Sequence, residues 1–199
     1  MEEIKDINMF NKLPYFVILQ GRKYKINVDF RNMISYEKII LDKTISKAEK
    51  IKKGLQLFYP FFCNEENYME LVKKIELYKE ACEKLIWFYK CGREDYHKSS
   101  NQSGNVNFDQ IFSYEYDDEY IYGAFYEQYR IDLSYQKVHW WKFRALMKSL
   151  KDNTQFEKIK SYRAYKGEDE NMKKLKEYWK LPLETSEQKR LDALYEKYK

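Results

Sequence analysis

The sequence predicts a mainly α protein: a single helical domain over 1–163 with an N-terminal β-hairpin at about 15–28, and a charged helical C-terminal extension over 164–199. Three observations carry this. Apolar residues recur at steps of three and four along most of the chain, the spacing of one helix face. Only 6 Gly and 3 Pro occur in 199 residues, so the chain is neither collagen-like nor a Pro/Gly-rich linker. And although the mean hydropathy is −0.84, 20 Tyr, 12 Phe and 4 Trp argue for a packed interior, because disordered chains are poor in aromatics. Six to eight helices are expected.

The elements follow in order. Tyr15–Gln20 is aromatic and β-branched, Gly21-Arg22 makes a turn, and Lys23–Val28 alternates polar and apolar. That pattern is a hairpin. Asp29 is an N-cap for a helix bearing Phe30, Met33, Ile34, Ile40 and Leu41. Ser46 with Glu49 forms a capping box for a second helix that stops before Pro60. Residues 65–91 read as one long helix or two stacked ones, with Leu71, Ile75, Tyr78, Cys82, Leu85 and Tyr89 inward and Gly92 as a left-handed cap. Residues 93–107 are a polar loop.

Asp117 or Asp118 caps a helix through Tyr129, with Ile121, Phe125 and Gln128 on one side and Tyr122 and Tyr126 on another. Ile131–Ser134 connects, and Ser134 caps the next helix, about 135–150. Val138, Trp140, Trp141, Phe143, Leu146, Met147 and Leu150 cover most of its circumference, so it is predicted to be the most buried element. A shorter helix with Phe156 and Ile159 follows Asn153. The extension is split by Pro182 into two helices.

Charge narrows the function classes. The net charge is +5, from 37 basic and 32 acidic residues, and 30 of the bases are Lys. Nucleic-acid readers rely on Arg forks and a strongly basic face, so no nucleic acid is expected as partner. No run approaches the ~18 apolar residues that span a bilayer, so no membrane partner is expected either. Residues 108–133 hold seven acids and one base, whereas 134–150 hold four bases and no acid. Consecutive segments of opposite sign can pair at their rims, though a solvated surface is the simpler reading.

Catalytic and metal-binding patterns are missing. Cys63, Cys82 and Cys91 are an odd number with no CxxC, and reduced, mostly buried thiols are the expectation. The two histidines, His97 and His139, form no HxxxH or HExxH pair, and His139 is expected to be a satisfied core residue. No GxGxxG or Walker loop occurs. The expectation is therefore no catalytic residue, no metal and no cofactor: a binding protein rather than an enzyme.

Candidate interaction residues are aromatic and apolar. Trp140-Trp141 point about 100° apart on a helix, so one can fill the core while Trp140 anchors an interface, or both can be core. Trp179 and the stripe Leu191, Leu194, Tyr195 and Tyr198 share helical faces in the extension and need a covering surface. That surface is the chain's own core, a second copy in a homo-oligomer, or another protein.

Several blocks in order carry a resemblance. Asp117–Tyr129 (DDEYIYGAFYEQY), Ile131-Asp132-Leu133, His139–Leu146 (HWWKFRAL) and Asp152–Arg163 (DNTQFEKIKSYR) resemble the tailed-phage gene-product-fifteen family. Leu57–Pro60, Trp87–Gly92 and Gly21–Arg31 are similar to further family blocks, so the resemblance spans about 13–163. One departure is Arg130, where the family more often has Gly. Genes of this family lie among siphophage tail genes, near the major tail and tape-measure proteins. The resemblance thus implies a tail assembly chaperone that binds the tape-measure protein or another tail protein in the cytoplasm of the bacterial host and is absent from the mature virion. The alternative is a virion structural component, a tail-completion or connector protein.

Overall fold

A computed structural model of the chain describes residues 9–10, 12–93 and 111–182. The order is β1 (Phe16–Leu19), β2 (Arg22–Lys25), α1 (Phe30–Leu41), α2 (Lys47–Phe58), a 3-10 turn (Pro60–Phe62), α3 (Glu65–Lys73), α4 (Ile75–Tyr89), α5 (Asp118–Tyr129), α6 (Trp140–Lys148), α7 (Gln155–Ala164) and α8 (Glu170–Tyr178). The mainly α fold with an N-terminal antiparallel hairpin is as predicted. The described residues form two compact units. The first comprises residues up to 93 with Lys137–Ala145, and the second 111–136 with residues from 146 on.

In the first unit, Gln20 and Gly21 both have positive φ, 46° and 76°, which gives the tight turn that matches strand twist. β1 pairs with β2 from Phe16↔Lys25 to Leu19↔Arg22. Val17 and Leu19 go inward and Phe16 and Ile18 outward, the two-residue alternation of a strand. The hairpin is fastened to α4 by the Gln20 N–H, which donates to Glu80 Oε2 at 2.9 Å. Asn27 fastens its exit to the end of α2, donating from Nδ2 to the Leu57 carbonyl at 2.6 Å. The caps are the expected ones: Asp29 accepts from the Arg31 N–H at 3.0 Å, and Ser46 from the Glu49 N–H at 3.2 Å. α1 and α2 approach closely at Gly54, where an added Cβ would lie 2.5 Å from Tyr36 Cε2.

Residues 65–91 are two helices, broken at Lys74. The break resets the helical phase and corrects the expected stripe. Leu71, Leu77, Ala81, Leu85 and Phe88 are buried, whereas Ile75, the first residue of α4, is exposed. α4 ends through Cys91 and Gly92, both left-handed at φ 59° and 69°. Gly92 is required twice over, because a Cβ there would also meet Trp141 Cη2 at 2.8 Å.

α6 begins at Trp140, not after Ser134. The Ser134 N–H and hydroxyl both donate to Asp132 Oδ1, closing a local turn instead of capping a helix. Residues Val138–His139 are extended, because the Phe30 N–H donates to the Val138 carbonyl at 3.0 Å and the Trp140 N–H to the Val28 carbonyl at 2.7 Å. This short antiparallel bridge takes the backbone groups a helix would need. The expected burial holds: Val138, His139, Trp140, Trp141, Phe143 and Met147 are all buried.

In the second unit, Thr154 caps α7, accepting from the Glu157 N–H at 3.3 Å, and Asp169 caps α8. α7 packs on both α5 and α8. Arg130 ends α5 in the left-handed conformation, φ 56°, so the position where the resembled family more often has Gly keeps the backbone that Gly favours. Cys63 is exposed, and Cys82 and Cys91 are half-buried, which corrects the expectation of mostly buried thiols. The loop expected at 93–107 falls almost wholly, and the helix beyond Pro182 wholly, outside the described residues.

Candidate interaction surface

The sequence-derived candidates separate once placed. Trp140 is 0% exposed. Its ring stacks on Tyr89 at 5.8 Å and its Nε1–H donates to the Tyr89 carbonyl at 2.9 Å. An anchor must be reachable by a partner, so Trp140 is a core residue and not an interface anchor. Trp141 is buried too, and its Nε1–H donates to the Phe88 carbonyl at 2.9 Å. These carbonyls belong to the last turn of α4; the Phe88 carbonyl also accepts from the Cys91 N–H at 3.0 Å, so the Trp141 indole is its second donor.

Trp179 lies in the second unit, half-buried and edge-on to Tyr120 at 5.7 Å. Its carbonyl accepts from Arg163 Nε at 2.5 Å. The described part of the extension is thus tied to α5 and α7. Leu191, Leu194, Tyr195 and Tyr198 lie outside the described residues, as does His97.

His139 is committed on both ring nitrogens. Nδ1 accepts from the Trp141 N–H at 3.1 Å, so the ring hydrogen sits on Nε2 and points to the Pro14 carbonyl, also 3.1 Å away. Burial holds its pKa below the usual histidine value, with the Pro14 bond opposing and Lys142 adding a little. The neutral imidazole is a structural link between the chain before the hairpin and the start of α6.

The other buried polar group is an ion pair that the sequence did not disclose. Asp117 was expected as a helix cap, yet its carboxylate makes no cap bond. It accepts instead from Arg163 Nη1 at 2.6 Å, from Arg163 Nη2 at 2.9 Å and from the Ser113 N–H at 2.8 Å. The same Arg163 Nη1 also donates to the Ile111 carbonyl at 3.2 Å. The pair is fully engaged and shielded, as a structural clamp must be. The buried acid of the segment 108–133 is therefore neutralised from α7 and not from the basic segment 134–150.

What remains reachable is a set of apolar and aromatic side chains carried on packed elements. In the first unit these include Phe16 and Ile18 on the outer face of β1, Phe61, and Met69 with Val72 on one face of α3. In the second unit they include Tyr122 and Tyr126 on α5, Tyr135 at 72% exposure and Tyr178 at 78%. Tyr122 and Tyr126 stack at 6.0 Å with an interplanar angle of 11°. Sequence reasoning separated this tyrosine face from the inward one but did not propose it as a binding surface; the four-residue spacing was the available signal.

No helix among the described residues is long and apolar enough to cross a membrane. A family model described as "Bacteriophage Gp15 protein" matches residues 9–182, which reaches beyond the blocks quoted above to include α8. No curated protein and no solved structure matches.

Proposed function

This chain belongs to the bacteriophage Gp15 protein family, and from that premise we propose that it is a tail assembly chaperone: a non-enzymatic protein that holds the tape-measure protein, or another tail protein, in the cytoplasm of the bacterial host until the tail assembles. A phage-related role follows from the family; the client and the chaperone action are our reading.

The observation that supports the reading is the display of apolar and aromatic side chains on firmly packed elements. Phe16 and Ile18 stand out from a hairpin whose other face is buried, and Tyr122 and Tyr126 from a helix whose other face carries buried Ile121 and Phe125. A client that is a long amphipathic helix is bound by such shallow apolar faces. Each face has modest affinity, so a polymerising tube can displace it, and repeated copies along one client supply avidity. The two buried polar assemblies, His139 with its two partners and Asp117 with Arg163, serve packing in this account.

Co-expression with the tape-measure protein of the same phage is the direct test. The client moves from the insoluble to the soluble fraction and elutes with this chain. A client that stays insoluble overturns the proposal. Mass spectrometry of purified virions separates it from a tail-completion or connector role: a chaperone is absent, whereas a structural component appears in fixed stoichiometry.

A further inference from the structure

Gly123 lies in the interior of α5, and among the described residues nothing explains it. An added Cβ would meet no atom within 4 Å, and its φ is not positive. Alanine fits there and is the better helix former, so glycine costs stability with no return among the described residues. The return is sought outside. Gly123 is exposed next to Tyr122 and three residues before Tyr126, and the missing side chain leaves a notch beside their stacked rings.

The charge around the notch is mostly negative. Asp118, Glu119 and Glu127 are exposed on the same helix, and Arg130 at its end is the opposing base. Asp132 extends the acidic border. Hydrogen bonds from the Ser134 hydroxyl and N–H hold its carboxyl below the usual range. Tyrosine faces carry negative potential and attract ammonium and guanidinium groups.

We infer that the Tyr122–Gly123–Tyr126 face of α5 is a docking surface for a basic amphipathic helix, whose small or apolar residues enter the notch at Gly123 while its Lys and Arg side chains lie over the two tyrosines and the flanking carboxylates. This names the chemistry of the client's binding segment, and it rests on the chaperone reading for the client's identity alone.

The probe is a synthetic Lys/Ala/Leu amphipathic helical peptide, with a counterpart carrying Glu for Lys, followed by fluorescence anisotropy. The wild-type chain binds the basic peptide with an affinity that falls as salt rises, and does not bind the acidic one. Gly123→Ala weakens that binding by about tenfold or more while melting at a higher temperature, which excludes misfolding as the cause. Tyr126→Ala and the pair Glu119→Gln with Glu127→Gln also weaken it, whereas Glu76→Gln with Glu83→Gln on α4 does not. Equal binding by wild type and Gly123→Ala overturns the inference, as does no preference for the basic peptide. Solubilisation of the tape-measure protein is scored separately. If Gly123→Ala solubilises it as well as wild type does, this surface is wrong and the chaperone reading stands. If wild type fails to solubilise it but binds the basic peptide at Gly123, the surface stands and the chaperone reading falls.

Discussion

The first unit buries its polar groups as neutral donors, and the second buries a charge pair. In the first, Trp140, Trp141 and His139 each carry a ring N–H to a backbone carbonyl, and the surrounding contacts are aromatic: Phe30 stacks on Phe143 at 4.5 Å and Phe58 lies 5.1 Å from Phe88. In the second, Asp117 and Arg163 meet through two charge-assisted hydrogen bonds, with side chains 1% and 9% exposed. The difference predicts how each unit fails. A packed aromatic interior loses stability with the volume removed. A buried pair loses it through the partner left behind, because an uncompensated charge in a low-dielectric site is worse than no pair at all.

The largest effects should come from those two interiors. Trp141→Ala or Phe143→Ala is expected to cost about 3–5 kcal/mol in urea unfolding. A loss below about 1 kcal/mol at both would show that α6 is not core. Arg163→Met should cost a similar amount, about 3–5 kcal/mol. Adding Asp117→Leu to it should restore part of the loss, because the stranded carboxylate goes too. No double Ala substitution at Trp141 and Phe143 can recover in that way. Non-additivity in the second unit against additive loss or worse in the first is the sharpest form of the contrast.

A middle-sized effect belongs to His139. Its folded-state pKa lies below the ordinary 6.5 because burial disfavours the cation. The unfolded chain therefore takes up the proton first. The contribution to stability is complete above about pH 6.5 and is lost as pH falls through that value towards the folded one. Denaturation midpoints of the wild type should decline across that window, and His139→Gln should flatten the decline. An unchanged pH profile would mean that the ring is not held neutral.

The smallest effects sit at glycine-related positions and have opposite signs. Gly54→Ala should destabilise by about 1 kcal/mol, since Tyr36 must move to admit a methyl group. Gly123→Ala should stabilise by about 0.5–1 kcal/mol. Arg130→Gly should stabilise by roughly 1 kcal/mol, because a residue with a Cβ is strained at φ 56°. Thermal melts of the three variants check all of these together.

How much was legible in the sequence depended on whether the information was local. Asp29, Ser46 and Gly92 announced their caps because a cap is decided within four residues, and the hairpin followed from a turn between alternating segments. The helix start at Trp140 was missed because the groups that hold Val138–His139 extended come from Val28 and Phe30, over 100 positions away. The phase of α4 was missed because one residue, Lys74, breaks a stripe that otherwise continues. The Asp117–Arg163 clamp was hidden because a carboxylate before a helix reads first as a cap, and nothing near position 117 indicates a partner on α7. Of the interaction candidates, Trp140 could be read either as anchor or as core, because a tryptophan pair alone does not say which ring faces out; the structure makes it core. The exposed tyrosines carried a periodic signal whose significance appeared only beside the open position at Gly123.

The short bridge that joins His139 and Trp140 to Pro14 and Val28 has a consequence for synthesis. The hairpin and the first four helices leave the ribosome without the aromatic residues that complete their interior. The Tyr89 carbonyl waits for the Trp140 indole, encoded 51 codons later. At about 5–20 residues per second that delay is on the order of several seconds. During it the apolar faces of Phe30 and Phe88 lack the cover of Phe143 and Trp141. The nascent N-terminal half is therefore expected to need protection, and a translational pause placed before codon 137 should raise aggregation, whereas one placed after residues 137–145 have left the ribosome should not.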